Sequence, residues 1–244
     1  MLAITNEDNM RLMSRYPDGY FDLAICDPPY GIGEDGSKTK GRTFRKDGSA
    51  RNNLDKRTGR KSVIFNTYKS KSWDESPPNQ DYFDELFRVS KNIIIWGSNH
   101  LLFNQKKLSS GRIFWDKVNG SSDFSDGEFA WTNLFGSVRM VRFMWNGMLQ
   151  GKSIIDGHLN QGNKALCEKR IHPTQKPVKL YEWLLQNYAK AGQSILDTHL
   201  GSGSIAIACH NMGFSLTACE LDTEYFEAAT KRIKQHQSQT RMFV

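Results

Sequence analysis

Ser194-Ile195-Leu196-Asp197-Thr198-His199-Leu200-Gly201-Ser202-Gly203-Ser204 is a short apolar run that stops on an acid and gives way to a glycine-rich turn. Ser194 to Leu196 reads as a strand, and the apolar stretch Ile205 to Met212, closed by Gly213, as the helix that follows it. Phe214 to Cys219 is the next strand, ending at Glu220, and an amphipathic helix spans about Thr223 to Gln237. Strand, glycine turn, helix and strand in succession make the repeating unit of a parallel sheet with helices on its faces. Gly201 and Gly203 let the backbone turn sharply and approach a ligand that a Cβ would hold off.

Working outward, Phe21 to Cys26 is a second compact apolar run, and it stops at Asp27-Pro28-Pro29-Tyr30. Tyr82, Phe83, Leu86 and Phe87 recur at helical spacing up to Val89, and Asn92 to Trp96 then reads as a buried strand. Arg112–Trp115 and Phe129–Thr132 are further strands, while Thr5 or Asn6 is expected to cap a short helix carrying Met10 and Met13. After His172-Pro173-Thr174-Gln175-Lys176-Pro177 the spacing predicts a helix with Leu180, Trp183, Leu184 and Tyr188 inward and Gly192 at its end. The expected class is α/β, a doubly wound and mostly parallel sheet with a Rossmann-like arrangement. A chain of 244 residues has room for one such domain, here 1–133 with 171–244, and for a small aromatic and basic insertion at 134–170.

The 33 Lys and Arg exceed the 26 Asp and Glu, a formal +7 that favours polyanionic partners. The excess is local, since 34–72 alone holds 12 basic and 4 acidic residues amid Gly, Ser, Thr and Asn. Such a composition buries too little apolar surface for a core of its own and predicts a long mobile basic loop. No apolar run reaches the roughly 18 residues that span a bilayer, and the first residues lack a secretory signal, so a cytoplasmic protein with no membrane partner is expected. Cys26, Cys167, Cys209 and Cys219 lack Cys-x-x-Cys spacing, which points to reduced thiols and to no metal.

In an open α/β sheet, ligands bind beyond the carboxyl ends of the strands, and both landmarks lie at such ends. Gly201-x-Gly203-x-x-Ala206 also fits a dinucleotide fingerprint, so a nicotinamide, a flavin or a plain glycine turn are alternatives. Asp197 would repel a pyrophosphate but suits S-adenosylmethionine, which carries a sulfonium and an ammonium and no phosphate. Glu220, at the end of the next strand, stands where a ribose is held. At the other landmark, Asp27 and the Pro28 carbonyl can accept the two N–H bonds of a base amino group, drawing the nitrogen toward tetrahedral geometry. Pro28 and Pro29 stiffen that loop, and Tyr30 offers a flat face to a flipped base. A rigid turn with Asp27 as a cap is the plain alternative.

Asp27-Pro28-Pro29-Tyr30, then His172 to Pro177, then Asp197-x-x-x-Gly201-Ser202-Gly203-Ser204, together resemble the adenine-N6/cytosine-N4 amino-methyltransferases of DNA in their beta order of motifs. The resemblance implies that Asp27, Pro28, Pro29 and Tyr30 serve catalysis. It implies too that Asp197, Gly201, Ser202 and Gly203 line the methionine part of the cofactor and Glu220 its ribose, with Asp8 near the adenine and Lys176 at the pocket. Double-stranded DNA becomes the expected partner and 134–170 the target-recognition insertion, with Arg139, Arg142 and Trp145 as candidate base or backbone contacts and a small-core role as the alternative for its aromatic residues. A homodimer and a cognate restriction endonuclease are further partners that the family admits. An initial Asp in the tetrapeptide favours adenine, with cytosine-N4, RNA or protein-amide methylation and a DNA-binding module with a decayed methyltransferase fold as alternatives. The chain departs from the family at Thr198 and His199, where the family commonly has Pro and Phe.

Overall fold

A computed structural model describes residues 1–33, 71, 73–101, 109–119, 125–146 and 149–239. The strands are β1 (Leu2–Asn6), β2 (Phe21–Cys26), β3 (Ser90–Trp96), β4 (Arg112–Asp116), β5 (Gly127–Thr132), β6 (Val138–Arg142), β7 (Trp145–Asn146), β8 (Leu149–Gln150), β9 (Ser194–Asp197) and β10 (Ser215–Glu220). The helices are α1 (Asn9–Met13), α2 (Gln80–Val89), α3 (Val178–Tyr188), α4 (Ser204–Met212) and α5 (Thr223–Ser238). Eight strands form one sheet in the order β1-β10-β9-β2-β3-β5-β4-β6, and β7 with β8 forms a separate hairpin. The first five of that order run parallel, and β5 opposes both of its neighbours. The mostly parallel α/β class expected from the sequence is the one observed.

Alternation along the central strands divides the core. Leu23, Ile25, Ile94 and Trp96 join a cluster with α3, α4 and α5, whereas Ala24, Cys26, Ile93 and Ile95 pack with residues of α1 and α2 on the opposite face. Period-two burial on both faces explains why these strands read as continuous apolar runs. From β9 the chain continues through α4 to β10 on one side, and from β2 through α2 to β3 on the other. The crevice between β9 and β2 is therefore the point where the winding reverses, the place at which a doubly wound sheet takes its ligand.

Some expectations are corrected. Leu2–Asn6 is a strand paired with β10, so Thr5 and Asn6 do not cap α1; Asp8 does, accepting from the amides of Met10 and Arg11. A short run of mixed polarity at a sheet edge lacks the strong alternation that would have revealed it. In α3, Trp183 and Tyr188 are only partly buried, and Val178, Tyr181 and Leu185 face inward instead. Within 134–170, β6 pairs in parallel with β4, and Val141, Phe143 and Trp145 enter the main core. Apart from Lys71, the 34–72 loop lies outside the described residues. Among the described residues no helix is long and apolar enough to cross a membrane.

A shared core makes the behaviour of β6 measurable. Val141→Ala should lower the stability of the whole domain by about 2 kcal/mol in one cooperative denaturant transition. A second, independent transition would show that the 134–170 region folds as its own unit.

Candidate active site

Both landmarks meet at the crevice. Leu23 pairs with Ile195 and Ala24 with Leu196, so β2 and β9 end side by side. Just beyond, the Thr198 hydroxyl reaches Cys26 Sγ at 3.4 Å and Tyr82 Oη at 2.7 Å. Asp27 lies on one side of this joint and Asp197 on the other, close enough for the charge of Asp27 to raise the Asp197 carboxyl.

The Asp27 carboxylate sits in a polar cluster. Its Oδ1 accepts from Tyr30 Oη at 2.5 Å and from Lys176 Nζ at 2.5 Å. Lys176, with 3% of its side chain exposed, also reaches Glu128 Oε2 at 3.0 Å and Tyr30 Oη at 3.0 Å, and Lys117 bonds the other oxygen of Glu128. Burial pushes the Asp27 carboxyl up, Lys176 opposes this, and Glu128 adds to it. Burial alone would raise Glu128 too, but Lys176 and Lys117 outweigh it and bring Glu128 down to about 2. Burial and the neighbouring carboxylates hold the Tyr30 phenol well above its ordinary range, so it stays a neutral donor.

Backbone geometry fixes the loop. Buried Asp74 accepts the amides of Tyr30 at 2.7 Å and Gly31 at 2.9 Å. Gly97, at φ +74°, lies against the Tyr30 ring: a Cβ there would fall 2.1 Å from Cε1, 2.4 Å from Cδ1 and 2.5 Å from Cζ. Near-equal distances to three adjacent carbons put Gly97 over the ring face rather than its edge. The His100 imidazole stacks on the same ring, with centroids 5.5 Å apart and planes at 14°. His100, which offers no partner in the sequence, therefore has one.

On the other side, Asp197 is 2% exposed, and its Oδ1 accepts the His199 amide at 3.0 Å. Among the described residues no cation bonds it. Burial, with Asp27 and Glu220 adding to it, pushes its carboxyl up to about 8. Glu220 accepts the amides of Gly201 at 2.8 Å and Asp222 at 2.9 Å, and burial raises it as well. Gly201 and Gly203 have φ of +52° and +74°, and a Cβ on Gly203 would crowd Ile233 at 3.0 Å. A buried carboxylate without a cation, beside a close-turning glycine loop and a second carboxylate, suits a ligand carrying positive charge.

Several expected residues have other partners. Ser202 is held through its carbonyl by Arg232 at 2.8 Å, and Arg232 also bonds Glu168 at 2.8 Å. Asp8 is exposed and caps α1. Lys176 belongs to the Asp27 cluster, whereas the glycine loop at 201–203 is formed without its bonds. His199 Nε2 meets the Asn9 amide nitrogen at 3.0 Å and Nδ1 meets Thr198 Oγ1 at 2.9 Å. Burial lowers this imidazole to about 4, so it is neutral, and with Asn9 donating to Nε2 the proton sits on Nδ1. Asp74, Gly97, Lys117 and Glu128 carry no local motif; the one available signal is that Gly97 and Lys117 each follow a strand directly.

The Gly97 contact predicts coupling. Gly97→Ala should destabilise the protein by about 2 kcal/mol or more, from the positive φ and the clash together, and much of the loss should vanish in a Tyr30→Ala background. Additive effects in a double-mutant denaturation cycle would show that the two positions do not touch.

Comparison with known proteins agrees with this geometry. A family model described as DNA methylase matches residues 132–231. Type II methyltransferase M.HpaI of Haemophilus parainfluenzae is 33% identical over 76 residues, 31% of this chain and 23% of that one. Type II methyltransferase M2.DpnII of Streptococcus pneumoniae is 22% identical over 96% of this chain and 90% of its own. The crystal structure of an M1.HpyAVI complex with SAM aligns at a TM-score of 0.53, 17% identity, 95% of this chain and all of the other. A Thermus thermophilus protein complexed with S-adenosyl-L-methionine aligns at 0.52, 15% identity, 98% of this chain and 96% of its own. These two share the fold. Over residues 132–231 the chain is thus similar to an N6/N4 DNA methylase family model, and over most of its length to a type II methyltransferase.

Proposed function

We propose that the protein transfers a methyl group from S-adenosylmethionine to the exocyclic amino group of adenine in double-stranded DNA, after the base is flipped out. The observation that carries this reading is the placing of Asp27 and Asp197 on either side of the β2–β9 crevice. One carboxylate is tied to a lysine and faces the reacting group; the other has no cation and is kept for one. The initial Asp of the tetrapeptide supports adenine over cytosine.

When bound, S-adenosylmethionine supplies an electrophilic methyl group on a sulfonium. Asp197, with Gly201 and Gly203 turning beside it, would hold the methionine end, and Glu220 the ribose. Asp27 Oδ1 is occupied by Tyr30 and Lys176, whereas among the described residues Oδ2 and the Pro28 carbonyl accept no hydrogen bond. Those two oxygens can take the two N–H bonds of the amino group, turning its lone pair out of the ring's conjugation. Pro28 and Pro29 hold the carbonyl in place, and Lys176 favours the ionised form of Asp27. A flipped base that stacks on the part of the Tyr30 ring left open by Gly97 and His100 would return about 1–3 kcal/mol of the cost of flipping. Residues 134–170 would carry target recognition, with Arg139 and the Asp116-bonded Arg142 exposed on β6.

Three experiments test this. Radiolabelled methyl transfer to DNA, RNA and protein, with nucleoside analysis, should yield N6-methyladenine in DNA; N4-methylcytosine would overturn the choice of base, and label confined to RNA or protein the choice of substrate. Asp27→Ala should lower kcat by about 10²–10⁴-fold while cofactor binding and the fold are retained, at a stability lowered by the unpaired Lys176 ammonium. In calorimetry, a carboxyl near 8 is mostly protonated at pH 7 and must ionise to face a cation. Cofactor binding should therefore release close to one proton at pH 7, and affinity should rise with pH toward 8. Binding without proton release would remove Asp197 from the cofactor site.

A further inference from the structure

We propose that Glu128 is a positioning residue for methyl transfer: it takes a share of the Lys176 ammonium that would otherwise close entirely on Asp27, and Lys117 holds Glu128 in place to do so. This inference rests on the methyltransferase reading and deepens it.

The geometry is that of a chain of alternating charge. Lys176 Nζ stands 2.5 Å from Asp27 Oδ1 and 3.0 Å from Glu128 Oε2, so a single buried ammonium is divided between two carboxylates. Lys117, with 16% of its side chain exposed, closes the far end on Glu128. Two acids and two bases leave the buried cluster neutral, and removing any one leaves a charge without compensation. An ammonium bound wholly to Asp27 would compete for the lone pairs that the amino group of the base must use, and would weaken that carboxylate as an acceptor.

An independent feature marks the same place. Among the described residues, Val118 is the single non-glycine residue with positive φ, at +54°, a region that a β-branched side chain rarely adopts. The turn is held there by Val118 N on Asp116 Oδ1 at 2.8 Å, by Arg142 on the other Asp116 oxygen at 2.7 Å, and by Trp145 N on the Lys117 carbonyl at 3.1 Å. Strain maintained by three surrounding contacts directly after Lys117 fits a side chain whose position matters. Asp27 itself faces Lys176 ahead of α3, Glu128 on β5, Asp197 at the end of β9, Tyr181 on α3 and Tyr30 on its own loop.

Glu128→Gln keeps shape and removes the charge. In the full-length protein it should lower kcat about tenfold or more with cofactor Kd unchanged, and move the acid limb of the kcat–pH profile to lower pH, because a negative neighbour of Asp27 is gone. Glu128→Asp should restore part of the rate. Carbon-13 titration of the Asp27 carboxyl, which needs no turnover, should show its midpoint falling in Glu128→Gln. An unmoved Asp27 midpoint, or a lowered plateau with an unmoved acid limb, would overturn the proposal and leave Glu128 a structural acid. A wild-type protein that methylates no DNA would instead overturn the methyltransferase reading, while the carboxyl titration still decides whether Glu128 governs Asp27.

Discussion

The parallel pairing of β2 with β9 is the contact on which the site depends. It joins two segments about 170 residues apart in sequence, and beyond its end the loops carrying Asp27 and Asp197 share one crevice. Neither loop forms this arrangement alone, because each strand presents one residue to one face and the next to the other, and their register decides which side chains meet. The helices of both faces fix that register by burying Leu23 and Ile25 on one side and Ala24 and Cys26 on the other. The same packing that stabilises the sheet thus aims the chemistry.

Two buried acids near each other would be unfavourable if both were left bare. The protein treats them differently. Asp27 and Glu128 share Lys176, and Lys117 balances Glu128, so that side of the crevice is neutral and its hydrogen bonds are directed. Asp197 has only a backbone amide and is pushed up to about 8, an unfavourable state that a cationic ligand relieves. Mostly protonated at neutral pH, the Asp197 carboxyl ionises beside a cation, and on the proposed reading this favours a cofactor with a sulfonium and an ammonium over one with phosphates. The neutral His199, bonded to Asn9 and Thr198, gives the loop a polar brace where the family commonly places a phenyl ring.

Much of the fold was legible because its signals are local. Buried strands such as Phe21–Cys26, the glycine turn with its helix, and the acid that ends β10 each declare themselves within a dozen residues. Elements that depend on a distant partner did not. Leu2–Asn6 becomes a strand because β10 offers it a parallel edge, and Val138–Arg142 because β4 does. At the site, Asp27, Tyr30, Asp197 and Glu220 stood out by their position at strand ends. Glu128 and Lys117 did not, being ordinary charged residues whose importance lies in what they face.

The sequence by itself determined the kind of sheet, the two loops at its carboxyl edge and the chemistry their residue types can perform, since these follow from periodicity, from the φ freedom of glycine and from the charge of individual side chains. Only the tertiary structure decided that Lys176 belongs to Asp27 rather than to the glycine loop, that Gly97 and His100 define the surface around Tyr30, and that Glu128 shares the buried ammonium. The reason is physical: burial makes charge–charge contacts strong over a few ångströms, and no regularity along the chain tells which side chains folding will bring within that distance.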